Sequence, residues 1–208
     1  GERSFQFANP PRLLAAALAA TADVHQTTPK SVPSPEDDPA FEKQLSEPVF
    51  GNALSLVMAG VIAHDMGLRP ALTLRRLDAA RHLGRRELTR FATLAGPDAQ
   101  AMRHLLAFNG MAGGLPVAGL TQQLNNELAA LGASAHTQRL SELLQQELPP
   151  HAPRDGEAGP ERLATIQPDL IGEAVIIEAF ETTPERKAEG LATLQRAYAL
   201  TGAAAAQT

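Results

Sequence analysis

The chain has no cysteine among its 208 residues. Disulfide scaffolds, thiol nucleophiles and zinc–thiolate sites are excluded together. A reducing compartment, and so the cytoplasm, fits best. A basic surplus is missing too. The formal net charge is −5, which excludes a generally basic nucleic-acid binder. No apolar run approaches the roughly 18 residues that span a bilayer, so no integral membrane chain is expected. The run Leu13 to Ala22 is Ala-rich and lacks a basic leader, which makes it a poor signal peptide. The chain opens on Gly1 without an initiator methionine, as a piece of a longer protein would.

What is present suits a globular chain. The composition is 44% hydrophobic and 20% charged, enough for a real core in one large domain or two small ones. The basic residues are 15 arginines and 3 lysines, and alanine is frequent; this reads as genome composition bias rather than function.

The pattern is helical almost throughout. Pro10 and Pro11 suit the first turn of a helix over Arg12 to Ala22. Four prolines between Thr27 and Pro39 forbid helix and central strand, leaving a linker. Phe41, Leu45 and Val49 then repeat every four residues. Phe50 to His64 is almost wholly apolar, as a buried central helix would be, with Gly67 and Pro70 closing it. Thr73 suits the N-cap of a helix reaching Leu94, with Gly84 as a break or bend and Gly96–Pro97 as the end.

The next stretch spells a helix-turn-helix core. Asp98 caps a helix through Met111, Gly113–Gly114 turns the chain, and Pro116 starts a helix that stops at Gly132. Ser134 caps a third, to Leu148. Arg162 to Ile166 reads as one short strand, with Pro149 to Arg162 as the tip of a β-wing. A helix follows from Pro168 or Asp169 to Phe180. Thr183 caps the last helix, whose Leu191, Leu194, Ala197 and Tyr198 form a side it cannot bury alone. Ala203 to Ala206 reads as a frayed end. The expected fold is mainly α: a helical domain, then a winged-helix domain with a short β-wing and a C-terminal helix. The expected divisions are 1–26, a Pro-rich linker 27–39, a helical domain 40–96, a winged-helix-like domain 97–182 and a C-terminal helix 183–208.

Catalytic constellations are lacking. There is no phosphate loop, no nucleophile elbow and no His-Glu-x-x-His pair. The six histidines show no ligand spacing and read as helix-end and surface residues. No enzyme activity and no metal are expected of this chain. The largest charge feature is the run Arg69, Arg75, Arg76, Arg81, Arg85, Arg86 and Arg90. It reads first as a solvated face with local ion pairs, and second as a docking face for an acidic protein surface, with Arg75, Arg76 and Arg86 as its core. The expected recognition helix, Ser134 to Leu148, has Arg139 against Glu142 and Glu147, too little positive charge for phosphate contacts; nucleic acid is not an expected partner. In Gln167-Pro168-Asp169-Leu170-Ile171-Gly172-Glu173, Asp169 can cap the helix that follows, Gly172 allows another segment close, and Glu173 complements the helix dipole.

That string resembles the Pro-Asp-Leu-Leu-Gly-Glu-like segment ending the winged helix of many bacterial STAND-type signalling NTPases, relatives of the NACHT and NB-ARC groups. Phe41 to Ala63 and Arg85 to Phe91 are similar to the helical domain that follows their nucleotide-binding core. The resemblance covers roughly residues 40 to 200. It implies a lid and sensor module that closes over ADP and swings away on exchange to ATP, with tetratricopeptide-like repeats after it. It places Asp169 and Gln167 near the family's Met-His-Asp-like nucleotide sensor, where Pro168 or Gln167 replaces the histidine. It places Gly51 near the adenine, where the family's usual proline is missing. ADP or ATP would bind a longer parent protein, not this chain. The partners implied are the nucleotide-binding domain, in the same polypeptide or another, and further copies in a homo-oligomer. Two other readings compete: a DNA-binding winged-helix regulator, and a stand-alone helical adaptor using the arginine face.

Overall fold

The computed structural model describes residues 9–152, 159–181 and 183–205, with the backbone alone for 201–205. The described chain is mainly helical. It forms two compact units that part between Leu83 and Gly84, where the sequence pattern placed a boundary at 96/97.

In the first unit, Asn9 caps helix α1 (Pro10–Val24), its side-chain oxygen accepting the Arg12 N–H at 3.1 Å. The Pro-rich stretch up to Asp38 has no helix or strand, and Lys30 ties it down by donating to the Ala63 carbonyl. Asp38 caps α2 (Pro39–Leu45) through the Phe41 N–H and pairs with Arg69. A single turn at Pro48–Gly51 precedes α3 (Ala53–Met66), capped by Asn52. Helix α3 is the central helix its composition calls for, burying Leu56, Met58 and Ile62 between α1 and the short α4 (Leu68–Thr73). Gly60 is what lets α1 approach: a Cβ there would lie 2.5 Å from that of Ala17.

Pro70 does not end the helical run, because Gly67, at φ 93°, stops α3 and Pro70 falls in the first turn of α4, where its missing N–H costs nothing. Thr73 therefore closes α4, its hydroxyl donating to the Pro70 carbonyl at 2.7 Å, and α5 (Arg76–Ala95) starts later. Helix α5 runs through Gly84 unbroken.

The second unit packs Leu88 and Phe91 of α5 into one core with Met102, Leu105 and Phe108 of α6 (Ala99–Met111), Leu124 and Leu128 of α7 (Leu120–Ala130) and Leu140 and Leu144 of α8 (Thr137–Glu147). Helix α9 (Asp169–Phe180) lies on α6, and α10 (Pro184–Ala205) packs on both. Gly84 admits α9: a Cβ there would sit 3.0 Å from the Val175 nitrogen.

Between α6 and α7 the chain is extended rather than helical, so Pro116 opens no helix. Val117 N–H donates to the Glu161 carbonyl and Leu163 N–H to the Leu115 carbonyl, and Arg162 exchanges two bonds with His151. These are isolated antiparallel bridges at Pro116, His151 and Arg162. The expected strand Arg162–Ile166 is not formed among the described residues. Its physical obstacle is Asn109, whose amide takes the Ala164 carbonyl at 2.9 Å in place of a strand partner. Residues 153–158 of the expected wing tip lie outside the described residues, as does Ala206. Two caps also differ. Asp98 precedes α6 but its carboxylate accepts from the His136 N–H at 3.3 Å. Ser134 is exposed, and α8 begins after His136.

Candidate functional site

The positions singled out in the sequence fall into three places. Gly51 ends the turn before α3 in the first unit, with open space where a Cβ would be. Gln167 and Asp169 sit together in the second unit, on the segment entering α9 across a cis Gln167–Pro168 peptide. Arg75 and Arg76 are exposed at the start of α5 in the first unit, whereas Arg86 is half-buried in the second.

Asp169 is not the cap of α9. Pro168 holds that position with an extended backbone, and Asp169 is the first helical residue. Its carboxylate still complements the helix dipole there. Gly172 does what its position called for: a Cβ would lie 2.8 Å from the Ile166 carbonyl oxygen. Gln167 donates to the Thr165 hydroxyl at 3.1 Å. Asp169 lines a cavity of about 240 Å³ with Thr165, Glu173 and apolar groups from α6 and α9, including Leu106 and Val175. Below the roughly 300 Å³ where ligand pockets begin, and with two carboxylates and no cation in its lining, it is unsuited to hold a nucleotide phosphate by itself.

Part of the arginine run is committed to this fold. Arg85 grips Glu178 of α9 through two bonds, at 2.6 and 3.1 Å. Arg90 bonds Glu87 at 3.0 Å, the i,i+3 pair expected, and also Glu147 of α8. The exposed side of α8 carries Gln138, Arg139, Glu142 and Gln146. Gln138 donates to Glu142 at 2.8 Å, and Arg139 reaches the Leu94 carbonyl at 3.2 Å. That leaves little to read a base edge or hold a phosphate.

The strongest electrostatic feature escaped the sequence reading. His104 of α6 is buried, and its Nε2 lies 2.7 Å from Glu127 of α7. Arg196 of α10 forks onto the same carboxylate at 2.6 and 2.7 Å. Glu189 of α10 lies 3.2 Å from the other imidazole nitrogen, without hydrogen-bond alignment. Burial alone would raise the Glu127 carboxyl, but the bonds from Arg196 and His104 outweigh it and hold it at about 2. An ionised carboxylate only accepts, so Nε2 of His104 carries the proton. Phe180 of α9 closes the site, edge-on to the imidazole at 5.4 Å. The network joins α6, α7 and α10 through one carboxylate, with the Thr193 hydroxyl accepting from Arg196 at 3.0 Å. Its signal in the sequence is faint: His104 and Glu127 each interrupt an apolar stripe, beside Leu105 and Leu128.

Among the described residues no group of three or more histidines and carboxylates could hold a metal ion, and no helix is long and apolar enough to cross a membrane. No protein family, curated protein or solved structure matches this chain.

Proposed function

We propose that the chain is a non-catalytic switch module of a nucleotide-dependent signalling ATPase, its second unit being a winged-helix domain with a minimal wing. The observation that carries this reading is the order of pairing around Arg162. The segment after α6 and the segment after α8 both bond the Glu161–Leu163 segment, which leads into α9. Helix, edge, two helices, edge, return edge is the winged-helix order, here reduced to single bridges. The string at Gln167–Glu173 adds the resemblance to signalling NTPases, which is an argument by analogy.

In this role the module biases two packings of rigid bodies through differential contacts to ADP- and ATP-bound states of a partner domain. The second unit suits a rigid body, because one core and one buried charge network join its helices. Gly96 and Pro97 are exposed between α5 and α6, two helices that both contribute to that core. Gln167 and Asp169 face the nucleotide-binding domain as contact residues, and Arg75, Arg76 and Arg86 offer guanidinium groups to an acidic surface. The exposed residues of α8 weigh against the DNA-binding alternative.

The test is mass spectrometry of the cellular protein, intact and as peptides, together with whatever co-purifies. The expected result is a phosphate-loop peptide in the same polypeptide or in a stable partner, with ADP bound. A protein with neither would overturn the switch reading.

A further inference from the structure

Helix α10 buries one side and leaves another open. Thr193 and Ala197 are buried, whereas Leu191, Leu194 and Tyr198 are 61%, 47% and 77% exposed. With Lys187 these residues stand at i, i+4, i+7 and i+11, which on a 3.6-residue helix is a single stripe. The stripe borders a largely apolar groove of about 390 Å³, walled by Lys187, Leu191 and Leu194 on α10 and by Ile177 and Phe180 on α9, with Met111 and Glu181 beside them. Ile177 adds to the open apolar surface at 38% exposure. Clustered exposure of this kind marks an interaction face, where scattered single residues would not.

The stripe also has a symmetry. Its four positions are mirror-placed about the midpoint between Leu191 and Leu194. Two copies of α10 laid antiparallel about that point set Leu191 against Leu194 of the other copy, twice. The same register sets Lys187 against Tyr198, twice, an ammonium over an aromatic face. A parallel pair in register would instead bring the two lysines together. The pattern is thus complementary to its own antiparallel copy, as a two-fold interface requires, and the groove beside Leu191 can take a leucine of the second helix as a knob.

We propose that the α9–α10 groove is a homodimer interface, occupied by α10 of a second copy of this chain running antiparallel, with Leu191 opposite Leu194 and Lys187 opposite Tyr198. The proposal does not depend on the switch reading. A contact of this size gives a weak association, with Kd on the order of 10 to 100 μM.

The chain without cysteine makes the test clean. Sedimentation equilibrium of the 208-residue protein is run from about 5 to 500 μM, a range that brackets this Kd. The wild type is expected to dimerise. The doubly substituted Leu191→Glu/Leu194→Glu protein, altered only at exposed positions, is expected to keep its circular dichroism and weaken dimerisation at least about tenfold. Register is read by disulfide trapping. Lys187→Cys mixed with Tyr198→Cys is expected to form the mixed dimer. Lys187→Cys alone is expected to cross-link poorly, its thiols lying roughly 16 Å apart along the antiparallel pair. A protein that stays monomeric across the range overturns the proposal, and so does a dimer indifferent to the glutamates. Efficient self-cross-linking of Lys187→Cys overturns the antiparallel register.

Discussion

His104 on α6 and Glu127 on α7 meet at 2.7 Å with both side chains almost wholly out of solvent, and Arg196 of α10 closes on the same carboxylate. Three helices are thereby joined through one buried anion. Such a group is costly to bury and costlier to strand, because removing one partner leaves the others charged and unpaired in a poor solvent for charge.

The first prediction follows from that asymmetry. Glu127→Ala is expected to destabilise the second unit by about 3–5 kcal/mol, read as a fall in the urea midpoint. A double-mutant cycle between Glu127 and Arg196 is expected to give a coupling of about 1–3 kcal/mol. A Glu127→Ala loss under about 1 kcal/mol would show that α10 is held by its apolar contacts alone.

Acid should find the same carboxylate. Its value in the fold, about 2, lies below its ordinary 4.5. A depressed carboxyl stabilises fully above the unfolded value, and its contribution is lost as pH falls through the folded one. The window is therefore about pH 4.5 down to about pH 2, and the contribution is about 3 kcal/mol. Urea unfolding at pH 7 and pH 3 should show about 2 kcal/mol of this loss in the wild type, the rest going only as pH falls through about 2, and Glu127→Gln should flatten it. An unchanged acid limb in Glu127→Gln would assign acid sensitivity to other groups.

Asn109 carries the third prediction. It is buried, its side-chain oxygen accepts the Leu115 N–H at 2.8 Å and its amide donates to Ala164. Asn109→Ala strands a buried N–H and a carbonyl, so a loss of about 1–3 kcal/mol is expected. Amide exchange should quicken at Leu115, Arg162 and Leu163, which lie at and beside the Pro116–Arg162 bridge. Exchange that quickens evenly over the unit, with no excess there, would speak against a local role.

Gly60 and Gly51 make a matched pair. Gly60→Ala gains about 1 kcal/mol in helix propensity but drives a Cβ to 2.5 Å from Ala17 on α1. A net loss of about 1–3 kcal/mol is expected. Gly51→Ala meets nothing within 4 Å and should stay within about 0.5 kcal/mol of wild type. Thermal unfolding of both variants checks the pair, and a neutral Gly60→Ala would mean that α1 shifts freely on α3.

Much of the helical order was legible because apolar spacing and punctuation agreed. Pro10 and Pro11 open α1, Gly67, Gly96 and Gly132 stop helices, and Leu56, Leu124 and Leu144 are buried as their patterns call for, whereas the caps Asn9, Asp38 and Asn52 were not read from the sequence. Legibility failed where tertiary contacts overrode local chemistry. Pro116 looks like a helix start, yet the Glu161–Leu163 segment claims the backbone on either side of it. Ser134 looks like a cap, but Asp98 reaches across from α6 and fixes His136 at that end of α8. The arginine run read as one surface, but Arg85 and Arg90 turn out to grip α9 and α8. The charge network was invisible for a related reason: His104, Glu127 and Arg196 lie 23 and 69 residues apart, and no local period links them.

The most direct measurement of the switch reading is hydrogen exchange on the protein purified with its nucleotide-binding domain, compared between ADP and ATP. The expected result is a change in protection at Gln167–Gly172, with the interior of α6 and α7 around His104 and Glu127 unchanged. Identical exchange in the two nucleotides throughout the described residues would contradict it.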